Sequence, residues 1–296
     1  MNRRELLEQS TAALALMAGV RPTRRFLPMI RFGCAAITWD GNDRQAITDI
    51  SALGYRGIQL RASAIQQWGD RPGKLAELLA ANRLTLVALS SGVVRLDPAY
   101  QSEDLELHVR NARFLKQAGG LYLQVLDQRP QGRAPVPDDY TRMGRLLTEL
   151  GKRTSDEGVQ LGYHNHMGNL GQAPEEIDRV LEAADPRFVK LELDTAHYQQ
   201  GGGLPVSAVK KHGNRLLFLH LKDLESPLPG KGPESYRFVE LGQGRVDFPG
   251  FFAALEQAGF AGWAIVELDQ VPVSTRTPKE SAAMSKHYLE GLGFTL

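Results

Sequence analysis

The chain has 296 residues, 42% hydrophobic and 23% charged, which is enough apolar material for a large core and too much for a disordered chain. Lys plus Arg number 35 against 34 Asp plus Glu, so a net charge of +1 gives nucleic acid no basic excess to bind. The single cysteine, Cys34, excludes an internal disulfide and any multi-cysteine zinc or iron–sulfur site.

Residues 1–30 stand apart from the rest. Arg3 and Arg4 precede a short, weakly apolar stretch from Thr11 to Val20, and Arg21, Arg24 and Arg25 follow it. Paired arginines before a modest hydrophobic segment have the form of a twin-arginine export signal, which implies a periplasmic or otherwise exported protein. The stretch is too short to span a bilayer, and no clean Ala-x-Ala cleavage site follows. The alternative is a disordered tail on a cytoplasmic protein. Past residue 20 no apolar run approaches the roughly 18 residues that a membrane helix needs, so stable membrane insertion is not expected.

From residue 31 short apolar runs alternate with longer segments of helical spacing. The runs are 31–37, 57–60, 84–89, 120–126, 158–163, 188–193, 216–221 and 262–268. Helices are predicted at 43–53, 71–82, 103–118, 138–156, 174–184, 205–212, 249–259 and 278–291. Gly54, Gly119, Gly158 and Gly259 fall where a helix ends before the next strand, the place for a left-handed residue. Eight strands with helices between them predict a (β/α)8 TIM barrel, a single α/β domain over 31–296, of the usual size of about 250 residues. A doubly wound dinucleotide-binding sheet would want GxGxxG after an early strand. No such motif follows an early strand, and Gly242-Gln243-Gly244 comes late.

A barrel enzyme keeps its chemistry at the C-terminal ends of its strands. There the sequence places Tyr163-His164-Asn165-His166, then Glu192-Leu193-Asp194 with His197 beyond, then His220 with Lys222-Asp223, and finally Glu267 with Asp269. Four of the seven histidines lie on this rim, whereas His108, His212 and His287 fall in helices. Imidazoles and carboxylates without cysteine suit a borderline or hard divalent ion. Asp194, His220 and Glu267 are the metal-ligand candidates, and His164 and His166, which share a face if the strand persists, compete for the fourth place. Asp194 has a second reading as the cap of the turn that follows it. Glu192 sits deeper on the same face, where it needs a partner: Lys190, a ring arginine, or the metal itself. His166, His197 and Glu267 are candidate acid/base groups, and Lys222 is placed to neutralise a substrate oxygen. Trp39, Trp68 and Asn165 are candidate substrate contacts. The segment 223–241, with Pro227, Pro229 and Pro233, is the lid candidate, and its Arg237 is a further candidate substrate contact.

Several stretches carry a family resemblance: Ile37-Thr38-Trp39, Gly54 through Leu60, Tyr163 through Gly168, Leu193 through His197, His220 through Asp223, and Gly262-Trp263 through Glu267. Together they resemble the xylose-isomerase-like TIM barrels, the sugar isomerase/epimerase superfamily, over essentially residues 31–275. The motifs are nearest to its inosose (2-keto-myo-inositol) dehydratase-like members. The resemblance implies one divalent ion held by carboxylates and a histidine, with Asp194, His220 and Glu267 in three of the places. The fourth is usually Glu where this chain has His164. Gln59 and Ala196 also depart from the pattern, which has Glu and Gly there. The His164 replacement favours Mn, Fe, Co or Zn over Mg.

The expected function is that of a metal-dependent sugar isomerase or epimerase acting on a keto-sugar or cyclitol. It would abstract a proton next to a carbonyl through a metal-chelated enediolate. The alternative is a dehydratase or lyase performing β-elimination on a keto-polyol, and a more distant one is a non-catalytic sugar-binding protein. The DNA-repair endonuclease branch would want three metals and a positive groove, which the ligand set and charge do not offer. The implied partners are a small sugar or cyclitol and, as such barrels often pair, a second copy of the chain.

Overall fold

The computed structural model describes residues 30–296; the export-signal expectation rests on residues 1–29 and lies outside the described residues. Eight strands, β1 (Arg31–Ala35), β2 (Gly57–Arg61), β3 (Thr85–Val94), β4 (Tyr122–Asp127), β5 (Gln160–His164), β6 (Val189–Asp194), β7 (Leu216–Leu221) and β10 (Trp263–Val266), pair in parallel. They close in the order β1-β10-β7-β6-β5-β4-β3-β2, which is the (β/α)8 barrel expected from the alternation of elements.

Between them run α1 (Asp43–Ala52), α2 (Ala64–Trp68), α3 (Pro72–Ala81), α4 (Gln101–Gln117), α5 (Pro137–Asp156), α6 (Pro174–Ala183), α7 (Thr195–Gln200), α8 (Pro205–His212), α9 (Phe248–Gln257) and α10 (Pro278–Gly291). Each of Gly54, Gly119, Gly158 and Gly259 has a positive φ, between 66° and 92°, in the backbone region that a Cβ penalises. Two elements have no counterpart in the sequence reading of strands. Asp223–Glu225 (β8) and Arg237–Val239 (β9) form an antiparallel hairpin after β7, inside the segment taken as a lid.

The core has two layers, as a closed sheet requires. The larger lies between strands and helices, and a smaller cluster of Ala35, Val87, Ala88, Phe218, Trp263 and Ile265 fills the barrel itself. Gly57 makes room for that filling, because a Cβ there would come within 2.6 Å of both the Trp263 ring and Val87. Successive side chains in a strand alternate between faces. The inward faces that begin with Phe218 and with Trp263 and Ile265 therefore continue to His220 and Lys222, and to Glu267. The same period on β6 turns Glu192 and Asp194 inward. Apolar residues fill the lower barrel and polar ones its mouth.

Candidate metal centre

Asp194 ends β6 and uses its two oxygens differently. Oδ1 accepts the His197 N–H at 2.8 Å and caps α7, while Oδ2 is buried with no hydrogen-bond partner. The cap reading is met by Oδ1, and Oδ2 is left available to a cation. The surrounding backbone is stitched from both sides. Asn165 donates to the Asp194 carbonyl at 3.2 Å and accepts its N–H at 2.9 Å. Thr195 Oγ1 donates to the Lys222 carbonyl at 2.7 Å and accepts its N–H at 3.0 Å. The wholly buried Asn165, expected as a substrate contact, thus has its amide committed to β6.

His220 is fully buried on β7. Its Nε2–H donates to Gln59 Oε1 at 2.8 Å, and Gln59 in turn donates to Gln124 Oε1 at 3.0 Å. With Nε2 engaged, Nδ1 faces the barrel mouth, 3.7 Å from Asp194 Oδ2 and in contact with Glu267 Oε2. Glu267 follows β10 directly, held by its N–H to the Leu221 carbonyl at 3.0 Å. His164 closes β5, its ring centroid 4.9 Å from that of His220.

His164, Asp194, His220 and Glu267 each offer a ligand atom, and those atoms all lie within 4.8 Å of one another. His164 Nδ1, Asp194 Oδ2, His220 Nδ1 and Glu267 Oε2 are all buried without a hydrogen-bond partner. Orphaned lone pairs are rare and costly in an interior. Two imidazole nitrogens and two carboxylate oxygens converging this way fit a divalent cation. The residues present therefore fit the metal that the sequence implied, and His164 rather than His166 belongs to this grouping. The strand does not persist to residue 166: β5 stops at His164, so the shared face ends there.

His166 is half-buried and packs instead against His197, ring centroids 3.8 Å apart. His164, His166 and His197 form a second convergent group. Lys222 disfavours a cation there, because its Nζ lies 3.3 Å from His197 Nε2. The Lys222 side chain is buried, donates to Asp269 Oδ1 at 2.6 Å and sits 4.1 Å above the Phe238 ring. It is no solvated charge. This corner, with an ammonium beside two imidazoles, suits a substrate oxygen.

The titrations follow the geometry. Burial pushes His164 well below its ordinary value, with His220 and His166 adding to the effect; burial and then the Lys222 charge do the same to His197. Burial opposes the charge on His220, but the Glu192 and Glu267 carboxylates outweigh it and raise that group. Burial likewise opposes ionisation of Glu267, and His220 and Lys222 overcome it. Burial pushes Glu192 up to about 7. Among the described residues Glu192 has neither Lys190 nor an arginine beside it, contrary to two of the expected partners; its neighbours are the imidazoles of His220 and His164.

Three other expected contacts sit elsewhere. The Trp39 indole N–H donates to Asp49 Oδ2 at 3.0 Å, and Trp68 packs in the strand–helix core beneath Arg44. Arg237 is exposed and pairs with Glu225 across the β8–β9 hairpin at 2.7 Å. What that hairpin brings to the site is Phe238, packed on Lys222 and 4.9 Å from the His197 ring. Asp127 was also missed. It ends β4, and its carboxylate accepts Tyr163 O–H at 2.5 Å, Leu170 N–H at 2.6 Å and Gly171 N–H at 2.9 Å, anchoring the loop that carries His166. The strand-end rule, applied to β4, would have found it.

Residues 47–289 match the family described as Xylose isomerase-like TIM barrel. The inosose dehydratase of Lacticaseibacillus casei is 26% identical over 295 residues, covering 88% of this chain and 96% of that protein. The crystal structure of the IOLI protein with a binding zinc atom superposes with a TM-score of 0.75 at 20% identity, covering 90% of this chain and all of that one. The probable 3-DHS dehydratase AsbF of Bacillus anthracis gives a TM-score of 0.70 at 13% identity, covering 88% and 98%. These two structures establish likeness of fold.

Proposed function

The chain belongs to the xylose isomerase-like TIM barrel family and is a metal-binding barrel enzyme; on that footing we propose that it eliminates water from a keto-polyol or keto-cyclitol. The observation that carries the reading is the convergence of four buried side chains, two imidazole and two carboxylate, whose buried polar atoms include ones with no hydrogen bond, beside a buried lysine and two further imidazoles. The sequence ranked isomerisation or epimerisation first. Elimination is preferred because the relatives aligned over nearly their whole length, such as the L. casei protein, are inosose dehydratases. Isomerisation stays as the second reading, since both reactions begin with loss of a proton next to a carbonyl.

His164, Asp194, His220 and Glu267 would hold a divalent ion, which would supply Lewis-acid stabilisation of negative charge on the substrate carbonyl oxygen. The other groups belong to the chain. His197, kept neutral by burial and by Lys222, is the base that accepts the proton at carbon, with His166 stacked on it as the alternative. The imidazolium so formed returns that proton to the departing hydroxyl, so no net proton is consumed. Lys222, fixed by Asp269 and Phe238, holds a substrate oxygen and stabilises charge on it. Phe238 covers this corner and excludes water.

Incubating the metal-loaded protein in D2O with a panel of keto-inositols and keto-sugars, followed by NMR, tests the proposal. Elimination gives a dehydrated product. Deuterium incorporation into recovered substrate or a rearranged sugar, without dehydration, selects the isomerase reading. Neither result with any metal refutes both. The arginine pair at Arg3-Arg4 supports placing the enzyme outside the cytosol, and fractionation of cells making the full chain tests that.

A further inference from the structure

Glu192 is the buried group that this chemistry leaves unused. It lies two residues before Asp194 on the inward face of β6, with its Cα in register with that of His164. Its side chain is fully buried, neither oxygen has a hydrogen-bond donor, and no lysine or arginine among the described residues is within ion-pair distance. Imidazoles surround it instead: His220 Nε2 at 2.6 Å and His164 Nδ1 at 3.7 Å from Oε1. A carboxylate in that environment is costly unless a positive charge compensates it.

Gln59 already accepts the His220 N–H and so fixes the direction of the ring. An amide satisfies that bond, so what Glu192 adds is negative charge. We infer that Glu192 is a positioning residue for the metal ligands: from below the cluster it polarises the His220 ring and strengthens its Nδ1 as a donor, while its charge favours a cation at the mouth. Carboxylates that back a ligating histidine typically govern metal affinity 10–100-fold. Removing the Glu192 charge while keeping its shape therefore weakens metal binding, which a packing role would not produce.

The inference rests on the metal reading, so the experiment separates the two. Metal-free wild type, Glu192→Gln, Glu192→Asp and His220→Ala are titrated with Co2+, read by cobalt absorption and by chelator competition, and each metal-free protein is melted. Wild type is expected to bind one Co2+ and His220→Ala none. Glu192→Gln is expected to bind it 10–100-fold more weakly while its metal-free form still melts cooperatively, and Glu192→Asp to recover part of the affinity. Wild-type affinity in Glu192→Gln overturns the inference and leaves the metal centre standing. A metal-free Gln variant that no longer folds also overturns it, in favour of packing. No cobalt in wild type overturns the metal reading and this inference with it.

Discussion

Substituting Asp194 by Asn and, separately, by Ala separates the two jobs of one carboxylate. Asn keeps an oxygen to accept the His197 N–H, as Oδ1 does now at 2.8 Å, but puts a neutral amide where Oδ2 faces the cluster. Ala removes the cap as well. Losing a helix cap costs about 1 kcal/mol, and in a domain of this size each kcal/mol lowers Tm by roughly 2–4 °C. The metal-free Ala variant is therefore expected to melt about 2–4 °C below the Asn variant, since both have lost the Oδ2 charge and the cap is the main remaining difference. Both variants lose a direct ligand, so affinity should fall by more than the roughly 100-fold that outer groups cost. Differential scanning fluorimetry of the metal-free proteins and Co2+ titration read the two effects independently. An Asn variant binding metal like wild type would show that Oδ2 is not a ligand. Equal melting of the two variants would show that the cap contributes nothing to this fold.

Two further predictions concern groups beside the cluster. Lys222→Met should lower kcat/KM by about 10²–10³-fold yet leave Co2+ affinity unchanged or higher, because the ammonium beside His197 repels a cation; activity within tenfold of wild type would remove Lys222 from the chemistry. Burial raises the Asp127 carboxyl from 3.8 to about 6 despite its three donors, so the folded protein takes up this proton before the unfolded chain does. Its contribution to stability is fully present below about pH 4 and is lost as pH rises through about 6, a change of about 3 kcal/mol. Urea unfolding of wild type and Asp127→Asn from pH 4 to 8 should therefore give a difference that varies by this amount; a constant difference refutes the assignment.

The barrel and most of the centre are legible because two periodicities agree. Polar residues placed two apart at the end of an apolar strand, as in Phe218, His220 and Lys222, have few reasons to face inward except chemistry. What escaped the sequence depended on where strands stop and on which partner is near in space. His166 matches His164 in spacing, but β5 ends first, so the second imidazole turns to His197. Gln59 looked like a departure from pattern and proves to hold His220 in place across the barrel. The indoles of Trp39 and Trp68 read equally as sugar platforms or as lid packing until Asp49 and Arg44 are seen against them. Phe238 had no signal, since three residues of a hairpin arm carry too little pattern to place a ring.

Trp263, seated in the space left by Gly57 and only 2% exposed, stoppers the lower end of the barrel beneath the polar mouth. A vessel closed at its base has one door. Whatever enters past the Phe238 hairpin must leave the same way. Departing and arriving molecules then contend for a single passage, so product inhibition is competitive with substrate.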